Sequence, residues 1–161
     1  MSDPNIQKLL KETYLKAIEN SVGSRLFNSV LVKFKDTGKI ADVLGSGTYS
    51  CAFFVSSILY LFQSIDRPHT TVASVIKSLD ANKCWSRVDP NKIEAGDVIF
   101  WEKIKFDDDS ENAHVGFAIS ENEAISTDYR QKNVARHTII REGAKRNVDS
   151  VYRYSWPDMS S

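Results

Sequence analysis

Cysteine and histidine, each at the head of a regular element, are the residue types in this chain whose pairing can do nucleophilic chemistry. Cys51 follows the glycine-rich turn Gly45-Ser46-Gly47-Thr48-Tyr49-Ser50 and opens a run of apolar and small residues, Ala52-Phe53-Phe54-Val55-Ser56-Ser57-Ile58-Leu59, at helical spacing. A thiol at a helix start faces unpaired backbone N–H groups and the positive end of the helix dipole. Both favour the thiolate and place donors beside any oxyanion formed by attack at Cys51. The bland alternative is a small thiol filling a gap in the core. His114 opens the strand-like run His114-Val115-Gly116-Phe117-Ala118-Ile119-Ser120. Thiol catalysis needs this pair, a sulfur to attack a carbonyl and an imidazole to take and return the proton. A third group usually fixes the imidazole by accepting its other N–H. Cys84, next to Trp85 at a turn, has no activating feature and reads as a buried neighbour of that ring.

The chain that must position them has 161 residues, enough for one domain with its own core. Twenty-one basic and twenty-one acidic side chains cancel and no long basic run occurs, which argues against nucleic acid or an anionic membrane surface as main partner. Two cysteines are too few for a disulfide scaffold. No Cys-x-x-Cys or His-x-x-His spacing suggests a structural metal, and no cofactor is expected. No apolar stretch reaches signal-peptide or transmembrane length. The expectation is a soluble protein without membrane insertion, cytoplasmic or released by another route.

Residues 5–20 read as an amphipathic helix with Ile6, Leu9, Leu10, Tyr14, Leu15, Ala17 and Ile18 on one stripe, ended by Gly23. Residues 29–35 have strand composition, Asp36-Thr37-Gly38-Lys39 is a tight turn, and residues 40–44 return as a partner strand or arm. After the Cys51 helix, Asp66-Arg67-Pro68 stops the chain, and Thr70 or Thr71 caps a further helix with Val72, Val75, Ile76 and Leu79 inward. Strands then follow over residues 98–101, 114–120, 124–128, 136–140 and 151–154. The acidic stretch Phe106-Asp107-Asp108-Asp109-Ser110-Glu111-Asn112 lacks the ligand spacing and glycine of a calcium loop and reads as a solvated hairpin tip. Helices first and antiparallel strands after them predict an α+β fold.

Three blocks occur in order: Ser50-Cys51-Ala52-Phe53-Phe54-Val55, Gly96-Asp97-Val98-Ile99-Phe100-Trp101 and His114-Val115-Gly116-Phe117-Ala118. Over residues 45–128, about half the chain, these resemble the NlpC/P60 cysteine peptidases, papain-like cell-wall hydrolases. The family pattern runs Asp-Cys-Ser-Gly-Phe-Val, then Gly-Asp-Leu-Val-Phe-Phe, then His-Val-Gly-Ile-Tyr. The resemblance implies a single papain-like domain over 1–161, N-terminal helices packed on a central antiparallel sheet. In it, 1–44 is a helix and hairpin lead-in and 45–157 the catalytic core. It also implies Cys51 as nucleophile, His114 as general base and acid, Gly96-Asp97 as the turn placing the central strand, and Gly116 as space beside the groove.

Family members often carry a histidine as third residue on the strand after the His-Val-Gly strand, and Ser126 stands at that position. Asp128 projects to the same face, and a carboxylate orients and stabilises an imidazolium more strongly, so Asp128 is the expected third residue. Ser126, the better aligned, and His137 on the next strand are the alternatives. Ser50 and Ala52 replace the family's usual Asp and Ser, and that aspartate helps hold the substrate's free amine, so the scissile bond is left open. Tyr49, Ser50 and Tyr129 are expected along the substrate groove. The implied activity is hydrolysis of an amide bond in a cell-wall peptide, peptidoglycan fragment or related isopeptide through an acyl-enzyme. The alternatives are a peptide-binding module that keeps the fold without turnover, and an acyltransferase or deamidase using the same dyad.

Overall fold

The computed structural model describes residues 7–105, 111–140 and 146–157. Helix α1 (Leu10–Asn20) starts later than the amphipathic pattern suggested, its first turn closed by the Thr13 N–H and hydroxyl, which both donate to the Leu9 carbonyl. Strands β1 (Leu31–Lys33) and β2 (Ile40–Asp42) form the expected hairpin. Helix α2 (Cys51–Leu61) begins at the cysteine, and α3 (Val72–Asp80) is capped by Thr71, whose hydroxyl accepts the Ser74 N–H. Then come β3 (Trp85–Val88), β4 (Val98–Lys105), β5 (Glu111–Ala118), β6 (Glu123–Asp128), β7 (Asn133–Thr138) and β8 (Val148–Tyr154).

The large sheet runs β3-β8-β4-β5-β6-β7 with every neighbouring pair antiparallel, so the fold is mixed α+β. β3 was legible only as an extended segment after Trp85; its pairing with β8 makes it a strand. β7 begins at Asn133, ahead of the expected Arg136, because β6 pairs with it along its whole length from Asp128↔Asn133 to Glu123↔Thr138.

Alternation along the strands sorts side chains onto two faces. One carries Val98, Phe100, Val115, Phe117, Ile125 and Val134 into the main core with the helices. Tyr14 of α1 and Phe54 of α2 both meet the Phe117 ring edge-on, at centroid distances of 5.7 and 5.6 Å. Burying side chains of this size contributes about 1.5–3 kcal/mol each. The opposite face carries a smaller cluster, Ile99, Trp101, Ala118, Ala124 and Ile139.

The start of β4 is tied down from both sides. Gly96 has φ +96°, and a Cβ there would lie 3.2 Å from the Tyr14 ring. The Tyr14 hydroxyl donates to the Gly96 carbonyl at 3.0 Å, and burial pushes its pKa well above the usual phenol range. Asp97 next door is buried and accepts the Glu94 N–H and two N–H groups of Arg153, each at 2.8 Å.

Among the described residues no helix is long and apolar enough to cross a membrane, and no group of three or more His, Cys, Asp or Glu is placed to hold a metal ion. The central residues of the acidic stretch, 106–110, lie outside the described residues.

Candidate active site

The turn before Cys51 is built to aim it. Asp42 accepts the N–H groups of Val30, Leu44 and Ser46 at 2.9–3.0 Å, and these bonds, that from Leu44 foremost, hold its carboxyl at about 2. Gly47 has φ +99°, and a Cβ there would lie 2.7 Å from the Asn28 side chain. That asparagine in turn donates to the Lys132 carbonyl in the β6–β7 connection at 2.7 Å, so the glycine turn is clipped to the far end of the sheet. The Ser50 hydroxyl donates to the Gly47 carbonyl rather than capping α2. With no side-chain cap in place, the first N–H groups of the helix are left to the Cys51 sulfur.

On β5, the Ala118 N–H donates to the Asp97 carbonyl on the β4 side. Alternation along the strand therefore turns the Val115 N–H toward β6. The regular β5–β6 pairing covers only Phe117↔Ile125 and Ala118↔Ala124 and stops before Val115. The Val115 N–H, with those of Ala52 and Cys51 itself, acts to lower the pKa of the Cys51 thiol.

Burial pushes the Cys51 thiol above the ordinary thiol range, which corrects the expectation of a lowered pKa at the helix start. The three N–H groups and the charge of Arg146 pull it down, but removing a thiolate from water outweighs them. The residue keeps part of its surface accessible even though protein atoms crowd the sulfur. The contribution of Arg146, 32 residues beyond His114 in the chain, had no local signal in the sequence.

His114 lies on the opposite face of the sheet from α2, paired with Trp101. Its Nε2 is 2.8 Å from the Ser126 hydroxyl, which is also 2.6 Å from Nε2 of His137. His137 Nδ1 is 2.8 Å from the Thr138 carbonyl. The Trp101 ring lies against both imidazoles at centroid distances of 5.4 and 5.7 Å, itself held by an indole N–H bond to the Ile139 carbonyl. Trp101 was missed as a site residue; its pairing opposite His114 in adjoining strands is the signal that identifies it.

Gly116 makes this arrangement possible. A Cβ there would lie 2.8 Å from both the Ile125 carbonyl oxygen and the Ser126 Cβ, and 3.2 Å from Trp101. Gly116→Ala is expected to destabilise the protein by about 1–3 kcal/mol in urea unfolding, since the rigid β6 backbone must move.

The side chain that meets Nε2 of the His114 ring is that of Ser126, which also contacts His137. Asp128 Oδ1 accepts the N–H groups of Arg130 and Gln131 at 2.8 and 3.0 Å, the duty of an aspartate opening a turn. Ser50 is buried and turned inward, so it does not line a groove. Tyr49 and Tyr129 are exposed, the first folded over Gly45 and the second under the Arg130 guanidinium. Cys84 is exposed rather than buried beside Trp85, whose ring packs on Tyr154. No protein-family model and no curated protein matches this chain.

Proposed function

We propose that this protein is a thiol hydrolase of the papain-like NlpC/P60 kind, cleaving an amide bond in a cell-wall peptide or a related isopeptide. The observation that supports the reading is a partly accessible Cys51 heading α2, with a His114 whose Nε2 lies 2.8 Å from the Ser126 hydroxyl. Because burial keeps the thiol neutral, His114 acts as a base during attack rather than as partner to a resting thiolate. Sγ bonds to the carbonyl carbon as its proton passes to His114. The oxyanion is met by N–H groups at the start of α2. Collapse gives a thioester and an amine that leaves with the proton from His114. Water, deprotonated by the same ring, then releases the acid.

Incubation of the full chain with purified muropeptides, followed by peptide mapping in a mass spectrometer, is expected to find an acyl adduct on Cys51. The adduct and the cleaved product should vanish in Cys51→Ala and persist in Cys84→Ala. Absence of both adduct and product from the unaltered protein overturns the reading. The raised thiol pKa favours a second reading, a module that binds such peptides without turnover. It calls for equal muropeptide affinity in the unaltered protein and in Cys51→Ala, with no product from either.

A further inference from the structure

We propose that His137 is a positioning residue that acts through Ser126 to decide which nitrogen of His114 carries the proton. The chain of bonds begins at an atom that can only accept, the Thr138 carbonyl oxygen, 2.8 Å from His137 Nδ1. Nδ1 must therefore hold the ring proton, and in the neutral imidazole Nε2 is left as an acceptor. The Ser126 hydroxyl, 2.6 Å away, donates its single proton to that nitrogen. Having spent its proton there, Ser126 Oγ can only accept from His114 Nε2 at 2.8 Å. His114 thus carries its proton on Nε2 and presents Nδ1 as the basic nitrogen. On the hydrolase reading, Nδ1 is then the nitrogen that takes the Cys51 proton. One backbone carbonyl, relayed through two side chains, selects the tautomer that general-base attack requires.

Three observations support a built relay rather than a chance contact. Ser126 is fully buried, so its hydroxyl has no competing water. Gly116 brings the β6 backbone and the Ser126 Cβ close to β5. The Trp101 ring, pinned by its own bond to Ile139, packs against both imidazoles. The consequence for catalysis rests on the hydrolase reading; the proton positions do not, and they are measured in the protein without substrate.

The test is two-bond 1H–15N correlation of the imidazole rings in the 15N-labelled full chain at a pH above the titration of both rings. The unaltered protein is expected to show His137 protonated on Nδ1 and His114 protonated on Nε2. In His137→Ala the preference of His114 for Nε2–H is expected to weaken by about tenfold, toward that of an undirected imidazole, the loss of one ordered hydrogen bond. Ser126→Ala should do the same, and Ser126→Thr, which keeps the hydroxyl, should restore the preference. A His114 proton on Nδ1 in the unaltered protein, which needs no variant to fold, overturns the proposal. So does an unchanged preference in a folded His137→Ala. Expected proton positions together with no acyl adduct on Cys51 leave the relay standing and remove the hydrolase.

Discussion

Replacing His114 by alanine is expected to slow acylation of Cys51 at pH 7 by about 10²–10⁴-fold, with the deficit closing as the pH rises. The direction follows from the state of the thiol. Burial holds its pKa above the ordinary range, so at neutral pH nearly all of it is the unreactive protonated form. On the proposed reading, with His114 present the proton leaves as the sulfur attacks and the rate does not wait for free thiolate. Without it, only ionised thiol reacts, and its fraction grows tenfold per pH unit until the pH reaches the raised pKa. The two proteins should therefore diverge most near neutrality and converge in alkali. Reaction with 4-nitrophenyl acetate between pH 6 and 10, read by mass spectrometry on Cys51, provides the profile, with exposed Cys84 as an internal reference. A His114→Ala profile parallel to that of the unaltered protein at every pH removes the imidazole from the proton transfer.

The same sulfur marks the boundary of what its local sequence could say. The turn, the helix and the position of Cys51 at its head were legible because glycine spacing and apolar periodicity are local properties, and α2 begins at the expected residue. The sign of its pKa shift was not, because the decisive contribution is burial of the thiol in the folded protein. His114 was legible as the opening of an apolar run, although β5 begins three residues earlier. Asp128 offers an imidazole the stronger chemistry and Ser126 the better alignment, and Asp128 also has a local duty. An aspartate followed by Tyr129-Arg130-Gln131-Lys132 opens a turn, and its Oδ1 accepts the Arg130 and Gln131 N–H groups. The contact between Ser126 and His137 depends on residues 11 apart in sequence being brought together by the β6–β7 register, in which Ser126 faces Ala135 and His137 sits diagonally across. No spacing rule within one strand reports that.

Arg153→Ala is expected to cost about 3 kcal/mol, seen as a Tm lowered by about 6–12 °C. The Asp97 side chain is 2% exposed, and the substitution removes two of its three N–H donors, leaving the Glu94 N–H. What is lost is less the attraction of the pair than the cover for a carboxylate that cannot reach water. Arg153 itself is 31% exposed, which places the cost at the lower end for breaking such a pair. The double variant Asp97→Asn, Arg153→Leu removes both charges and should recover most of the loss. A single variant within 0.5 kcal/mol of the unaltered protein in urea unfolding shows that the pair does not support the fold. The site gives the experiment a second reading. Asp97 receives the Ala118 N–H at one end of the β4–β5 ladder, and Trp101 pairs with His114 four residues further along β4. Arg153 touches neither imidazole nor thiol, so below its lowered Tm the Arg153→Ala protein should acylate Cys51 at the unaltered rate. A slower rate in the fully folded variant means instead that the β4 anchor also sets the placement of the His114 ring.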